Sequence, residues 1–432
     1  MKFDYVIVGN SAAGIGCAEA LRELTDSTIA IISYEKYPAY SRALIPYYLS
    51  GKIDFEKMYY RKPDFYDKMN ITPILGKKAV KVDFNKKEVI LEDGNAVGYG
   101  KLLIATGGKP FIPPIEGLSK QENVFTFVKL DDVLAIKDLL DRESVKKVVV
   151  LGGGIIGLMA AEVLNKKGLD VTVIELADRV LAPVVDDITS NLVQELFKEK
   201  GVKIALGTTI QKVFGEDKVE KVLLSNGETL ECDMLIVAVG VVPNVDLVKD
   251  TEIKINRGIV VDKYMQTSVK DVYAAGDCAE IYDFVFGDNR VLPLWPTAYV
   301  GGRIAAFNMV GIEREYTHAT SMNSMHFYDM YIINAGLNVP NDSTEFEILN
   351  LFDENSKVYK KFALKDGRIA GMILVNEVER AGIYLNLMRN YVDVSPFKNK
   401  LLKSDFGFLD LPEDVKLDLL EGEIKLGVVY EL

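Results

Sequence analysis

Val148-Val-Val-Leu-Gly-Gly-Gly-Ile-Ile-Gly157, continued by Val171-Thr-Val-Ile-Glu175, decides how the chain is read. Val148 to Leu151 are an unbroken apolar run, which predicts a parallel strand buried on both faces. Gly152, Gly154 and Gly157 follow in G-x-G-x-x-G spacing. The first glycine permits a tight turn, the second lets a pyrophosphate approach the backbone, and the third lets helix and strand pack closely. A helix is expected over Ile155 to Lys167, with Gly168 as its C-cap. A second strand closes on Glu175, 23 residues after Gly152, where a carboxylate can accept hydrogen bonds from a ribose diol. The glycine spacing alone says little. Strand, glycines, helix, cap, strand and terminal acid together predict a dinucleotide site.

The same design opens the chain. Tyr5-Val-Ile-Val8 is a strand, and Gly9-Asn-Ser-Ala-Ala-Gly14 is its turn, with Ser11 in place of the middle glycine. A helix through Leu24 and a strand from Thr28 to Ile32 complete the unit, and the acid comes late, at Glu35. The two units lie 143 residues apart (Gly9 to Gly152), too far for a solenoid repeat of roughly 20–50 residues. They point to one enzyme that holds two dinucleotides and passes electrons between them.

The bulk composition bounds the rest. A chain of 432 residues is long enough for about three domains at roughly 150 residues each. A net charge of −12 argues against a nucleic acid or an anionic membrane as partner. Cys17, Cys232 and Cys278 are scattered and odd in number, so they are no disulfide framework and fit a reducing cytoplasm. A strand begun by residue 5 leaves no room for a signal peptide, and the apolar run from Val148 to Ala161 is too short to cross a bilayer. His318 and His326 read as structural, and no metal site is expected.

Between and beyond the two units the chain changes character several times. Tyr37 to Gly51 is dense in tyrosine with two prolines, an irregular segment and short helix set against a ligand or simply packed on the core. Ala79 to Asp83 and Glu88 to Glu92 alternate like strands, with a turn at Asp93-Gly94-Asn95. Lys101-Leu-Leu-Ile-Ala-Thr-Gly-Gly108 is a strand ending in small residues, and Met234 to Asn244 echoes it. Lys109 to Gly117, with three prolines, reads as a linker. Asp271-Val-Tyr-Ala-Ala-Gly-Asp277 brings a carboxylate to the end of another strand, as a ligand contact or as the N-cap of a following helix. A helix is expected from Ala298 to Met309. After Ser321 come strands around an Asp366-Gly367 turn and a helix from Ala381 to Tyr391, a separate α+β domain suited to dimerisation or partner docking.

This order of motifs resembles the FAD-dependent pyridine nucleotide–disulfide oxidoreductase superfamily. Tyr40-Ser-Arg-Ala-Leu-Ile-Pro-Tyr-Tyr-Leu-Ser-Gly51 looks most like its NAD(P)H–rubredoxin reductase and nitrite-reductase flavin-domain branch. Ala105-Thr-Gly107 and Thr267 to Asp277 match two further flavin motifs. The resemblance implies an α/β chain of two Rossmann-like domains plus a C-terminal α+β domain. It divides the chain into a discontinuous FAD domain (1–112 and 249–320), an NAD(H) domain (113–248) and a third domain (321–432). FAD would be held by Gly9, Ser11, Ala12, Ala13, Gly14, Val80, Ala105, Thr106, Gly107, Trp295 and Ala298, with Glu35 on its adenosine ribose and Asp277 on its ribityl chain. NAD(H) would be held by Gly152, Gly154, Ile155, Ile156, Gly157, Glu175 and Gly240. Arg42 would stand beside the isoalloxazine, with Trp295 near the flavin end as well.

Two departures from the family pattern matter. Relatives with a cysteine redox cycle carry Cys where this chain has Ala43. Many relatives also have Glu where this chain has Met159, with Glu162 one turn further on as a substitute. The expected function is hydride exchange between NADH and FAD, with electrons passed singly to or from a rubredoxin, a ferredoxin or an iron–sulfur subunit. The chain has no cysteine set for a cluster of its own. An NADH oxidase or disulfide reductase is the alternative, disfavoured by Ala43. A non-enzymatic flavin sensor would have no use for a second nucleotide unit. Homodimer and hetero-complex both remain open.

Overall fold

The computed structural model describes residues 1–421, and 422–432, the end of the expected third domain, lie outside the described residues. Each apolar run followed by a glycine turn becomes the middle strand of a parallel sheet. In the first sheet Lys2–Val8 lies between Ile29–Ser33 and Ala96–Ile104, with Ile71–Leu75 outside the former. Val272–Ala274 pairs in parallel with Ala96–Ile104, so a late stretch of chain returns to the first sheet. Glu88–Leu91 and Ala79–Asp83 continue this seven-stranded sheet as antiparallel strands. In the second sheet Lys147–Leu151 lies between Asp170–Ile174 and Met234–Val237, with Lys203–Ala205 and Val124–Phe125 at the edges. Val148 to Leu151 are at most 2% exposed: Val148 and Val150 pack among helix residues such as Leu158 and Ala161, and Val149 and Leu151 against Val213 and Val222 of a separate three-stranded sheet.

The two sheets exchange chain at one place. Gly108–Pro110, leaving the first sheet, pairs antiparallel with Val241–Pro243, leaving the second. Asn244 N donates to Gly107 O at 2.8 Å, and Phe111 N donates to Gly240 O at 3.0 Å. A short ribbon thus carries both crossings.

Helices begin where the glycines end. Ala12–Leu24 and Ile155–Lys166 start at the turns and lie against their own strands. Ala12–Leu24 also packs along Trp295–Met309, where an ideal Cβ on Gly302 would stand 2.0 Å from Ala13 O and one on Gly16 2.4 Å from Tyr299 O. The last helix starts three residues before its expected position, because Pro296 occupies the first turn, where its missing N–H costs no hydrogen bond. Asp277 caps no helix: the turn it occupies leads into strand Ala279–Asp283.

The C-terminal sheet is antiparallel, in the order Met322–Phe327, Met330–Gly336, Arg368–Val375, Val358–Lys365, Glu347–Asp353. Asp366 and Gly367 both have positive φ (50° and 73°), as a two-residue hairpin turn requires. One face packs under helix Ala381–Arg389 through Phe362, Leu364 and Met372. The other shares a core with the second nucleotide unit, where Phe327, Ile332, Tyr359 and Val375 meet Val180, Leu181, Val185 and Phe197. Tyr40, Ile45, Leu49 and Met58 join that same core, so the tyrosine-rich segment bridges the two nucleotide units. Among the described residues no helix is long and apolar enough to cross a membrane.

Candidate functional site

Both glycine turns face one cavity of about 1290 Å³. Gly9, Ser11, Ala12 and Ala13 line it from one sheet, and Gly152, Gly154, Ile155 and Ile156 from the other. The turns are built alike. Gly9 (φ +134°) and Gly152 (φ +111°) press against the end of the neighbouring strand, where a Cβ would stand 2.0 Å from Ala105 O and 2.4 Å from Ala238 O. Gly14 and Gly157 do not line the cavity. A Cβ on either would stand 1.9 Å from the carbonyl oxygen of Gly9 or Gly152, so they set the approach of helix to strand.

The cavity wall also has room where a flat or phosphorylated ligand needs it. Gly107, Gly154 and Gly240 line it, and a Cβ on any of them would meet nothing within 4 Å. Bare backbone at these points, with two helix N-termini beside it, is a cradle for pyrophosphate groups and for rings lying close to the chain. Ala105, Thr106, Trp295 and Ala298 line the same cavity. Thr106 Oγ1 donates to Asn244 O at 2.6 Å, which ties the small-residue strand end to the crossing ribbon. The residues present therefore fit two dinucleotides.

The acids that end the second strands are held in different ways. Glu35 is buried, and its carboxylate accepts from the Tyr40 hydroxyl at 2.5 Å and from Arg42 Nη2 at 2.5 Å. Glu175 accepts from two backbone amides, Gly153 N at 2.6 Å and Ala177 N at 2.8 Å. Asp277 lines the cavity, and burial pushes its carboxyl up, with the Arg42 charge as the opposing influence.

Several expectations need correction. Arg42 was placed beside the isoalloxazine and Glu35 at the adenosine ribose, at opposite ends of an extended FAD, yet the two side chains touch. Arg42 also donates to Val128 O at 3.0 Å, and its charge reaches Asp277 as well. Val80 does not line the cavity. The pairing of Ala79–Asp83 with Glu88–Leu91 shifts between Ala79 and Lys81, and this bulge leaves Val80 47% exposed while Lys78 and Ala79 form the wall. Glu162 does not replace the missing acid at Met159. It accepts from Tyr328 N at 3.0 Å and pairs with Lys166, facing the C-terminal sheet, whereas Met159 lines the cavity.

Other contributors were not visible in the sequence. Asn10, inside the first turn, donates to Tyr37 O at 3.2 Å and accepts from the Tyr66 hydroxyl at 2.9 Å, bracing the turn from two sides. Its place within the glycine motif was the only signal. Asn323 reaches the cavity from the C-terminal sheet. Trp295, 42% exposed, stacks on Tyr299 at 5.5 Å. Ala43 lines the wall where cysteine-cycling relatives have a thiol. None of the three buried cysteines lines the cavity, although Cys278 sits directly behind its wall at Ala275 and Thr106, and burial pushes all three thiols up, Cys232 to about 12. His326 stacks on Tyr331 at 4.3 Å and His318 shares a 3.0 Å hydrogen bond with Thr317, both outside the cavity.

Two family models cover this geometry. Residues 3–302 match pyridine nucleotide-disulphide oxidoreductase, and residues 322–392 match the rubredoxin NAD+ reductase C-terminal domain. The chain is 32% identical over 405 residues to the NADH-dependent phenylglyoxylate dehydrogenase subunit epsilon of Aromatoleum evansii, covering 92% of this chain and 94% of that one. It is 31% identical to the NAD(P)H nitrite reductase of Bacillus subtilis over 91% of its own length, but spans only 48% of that enzyme. Among solved structures, the covalent putidaredoxin reductase–putidaredoxin complex matches at 27% identity with a TM-score of 0.84, covering 97% of this chain and 98% of that one. The NADH:rubredoxin oxidoreductase of Clostridium acetobutylicum matches at 26% identity with a TM-score of 0.75, covering 91% and 97%. With paired glycine turns on one cavity and a family model matched across both, the chain belongs to the pyridine nucleotide-disulphide oxidoreductase family.

Proposed function

We propose that the chain is an FAD-dependent NAD(H) oxidoreductase that exchanges electrons with a separate rubredoxin, ferredoxin or iron–sulfur subunit. The observation that carries this reading is the single cavity onto which both dinucleotide turns open. FAD, when bound, takes the two electrons of a hydride from NADH and gives them up singly.

The chain's own residues bind and position. Gly9 to Gly14 cradle the FAD pyrophosphate, Glu35 with Arg42 and Tyr40 holds the adenosine end, and Ala105 to Gly107 with Asp277 flank the rest of the cofactor. Gly152 to Gly157 and Gly240 take the NADH pyrophosphate, and Glu175 takes its ribose. No side chain needs to donate or accept a proton. The division into residues 1–112 with 249–320, 113–248 and 321–432 follows the same roles. Support for an iron–sulfur partner comes from the rubredoxin-reductase match at 322–392 and from likeness to a reductase in complex with putidaredoxin. Alanine at position 43 and three buried thiols speak against a disulfide-reducing cycle. Free buried cysteines also suit a cytoplasmic location.

Purified protein should be yellow, with FAD released on denaturation, and NADH should bleach it. Reduction of one-electron dyes should far outpace reduction of oxygen. Oxygen or a small disulfide reduced as fast as any dye would replace the electron-relay reading with an oxidase or disulfide reductase.

A further inference from the structure

Two adjacent lysines, Lys360 and Lys361, are each 2% exposed in strand Val358–Lys365. Neighbouring side chains on a strand point to opposite faces, so each lysine must find its own partner or stay a costly buried charge. Lys360 turns toward the C-terminal domain itself, to Glu377 at 2.5 Å and Lys403 O at 3.2 Å. Lys361 turns across the shared core to the second nucleotide unit. Its Nζ meets Asp186 Oδ2 at 3.0 Å and Val339 O at 2.5 Å, and the Tyr359 hydroxyl donates to the same Asp186 oxygen at 2.8 Å. Asp186 Oδ1 is taken by Thr189 N and Oγ1 at 3.1 and 2.8 Å, so the carboxylate is fully engaged. Burial pushes this carboxyl up, but the Tyr359 hydroxyl, the Lys361 charge and the Thr189 hydrogen bonds together hold it below the usual range.

Asp186 closes the segment that follows Glu175. Leu176, Ala177, Leu181, Ala182, Pro183 and Val184 of that segment line the cavity. Leu181 sits at φ +55°, an uncommon conformation for leucine, and its N–H donates to Gly153 O inside the glycine turn at 3.0 Å. Val185 N donates back to Leu181 O at 3.1 Å, and Asn338 Nδ2 of the C-terminal domain donates to Val185 O at 2.8 Å. An unbroken set of contacts thus runs from Lys361 through Asp186 and Leu181 to the turn at Gly153.

We infer that Lys361 and Tyr359 are positioning residues for NADH: through Asp186 the C-terminal domain fixes the Leu176–Val185 wall over the nucleotide. This rests on the assignment of Gly152 to Gly157 to NADH. The test uses the FAD-loaded full chain, with rapid-mixing measurement of flavin bleaching against NADH concentration for Lys361→Met, Tyr359→Phe and Lys360→Met. Lys361→Met should raise the NADH concentration for half-maximal bleaching about tenfold and Tyr359→Phe about threefold, with FAD content and limiting rate within about twofold of the parent. Lys360→Met should lower the melting temperature without moving NADH affinity. Should Lys361→Met not fold, the milder Tyr359→Phe decides on the same readout. The inference falls if Lys361→Met and Tyr359→Phe lose only stability, as Lys360→Met does. If the parent protein itself is not bleached by NADH, the assignment of the second turn falls and takes this inference with it.

Discussion

The two nucleotide turns share one backbone and differ in how their acids are held. In both, the first glycine lies under a carbonyl from the next strand and the third lies on the first. At the end of the second strand the likeness stops. Glu35 is gripped by side chains, Tyr40 and Arg42, from a segment that also packs into the core of the other unit. Glu175 is gripped by the backbone of its own turn. A side-chain grip with a half-buried ion pair closes a site around a resident group. A backbone grip needs no distant partner and leaves a site open to a ligand that comes and goes. The first arrangement suits a cofactor kept through many turnovers, the second a coenzyme exchanged in each.

The largest test of this contrast replaces the first glycine of each turn. Gly9→Ala forces a Cβ onto Ala105 O at positive φ and should yield colourless protein that does not retain FAD. Gly152→Ala should keep its yellow colour and lose bleaching by NADH while still being bleached by dithionite. Loss of FAD from both variants would show that the units are not independent.

Next come the acids. Glu35→Gln weakens a charge pair whose Arg42 side is about a third exposed, a change that costs about 1–2 kcal/mol after solvent screening, and should loosen FAD enough to be lost on dialysis. Glu175→Gln should keep FAD, raise the KM for NADH and narrow the preference for NADH over NADPH, because a 2′-phosphate no longer meets a like charge. Arg179, already engaged with Asp178 and Ala182 O, offers that phosphate little. Steady-state kinetics with both coenzymes decide the matter, and a parent enzyme equally efficient with NADPH would remove Glu175 from the ribose.

A smaller effect is expected at the middle position, where the units differ as Ser11 and Gly154. Ser11 has φ −124°, which any residue adopts, and its side chain caps nothing. Ser11→Gly should leave FAD retention unchanged and cost a few tenths of a kcal/mol in stability, read by thermal melting. A clear loss of FAD would mean that the hydroxyl touches the cofactor.

A packing loss with no effect on either coenzyme is expected one turn along the helices, where Cys17 of the first unit corresponds to Ala160 of the second. Cys17→Ala should cost about 1 kcal/mol of packing and leave bleaching by NADH intact. Burial pushes the thiol up, so native protein should resist alkylation at pH 8 and react only when unfolded. A variant that binds FAD yet cannot be reduced would make the thiol part of the chemistry.

How much of this was legible in the sequence depends on the range of the interactions. A glycine turn is local, because the residues that demand it and the backbone that adopts it lie within a few positions, so both units could be read to within a residue or two. The hairpin at Asp366-Gly367 was legible for the same reason. Val80 was expected at FAD from the family resemblance alone, and a motif match does not register the bulge between Ala79 and Lys81 that leaves it exposed. The contact of Arg42 with Glu35 spans only seven residues, but it depends on the chain doubling back between them, which no periodicity announces. Lys361 and Asp186 lie 175 residues apart and could not be joined without the fold. A lysine pair in an apolar strand was nonetheless a visible anomaly.

The crossing ribbon has one more implication. Gly108 faces Pro243 and Pro110 faces Val241, so the chain leaves the first sheet and comes back to it through adjacent residues. A unit inserted in this way makes almost no topological demand on its host: one short bridge could close the gap, and the host strands would keep their order. The path of the backbone is that of one module seated in a loop of another. The junction is also part of the cavity wall, through Gly108, Lys109 and Val241.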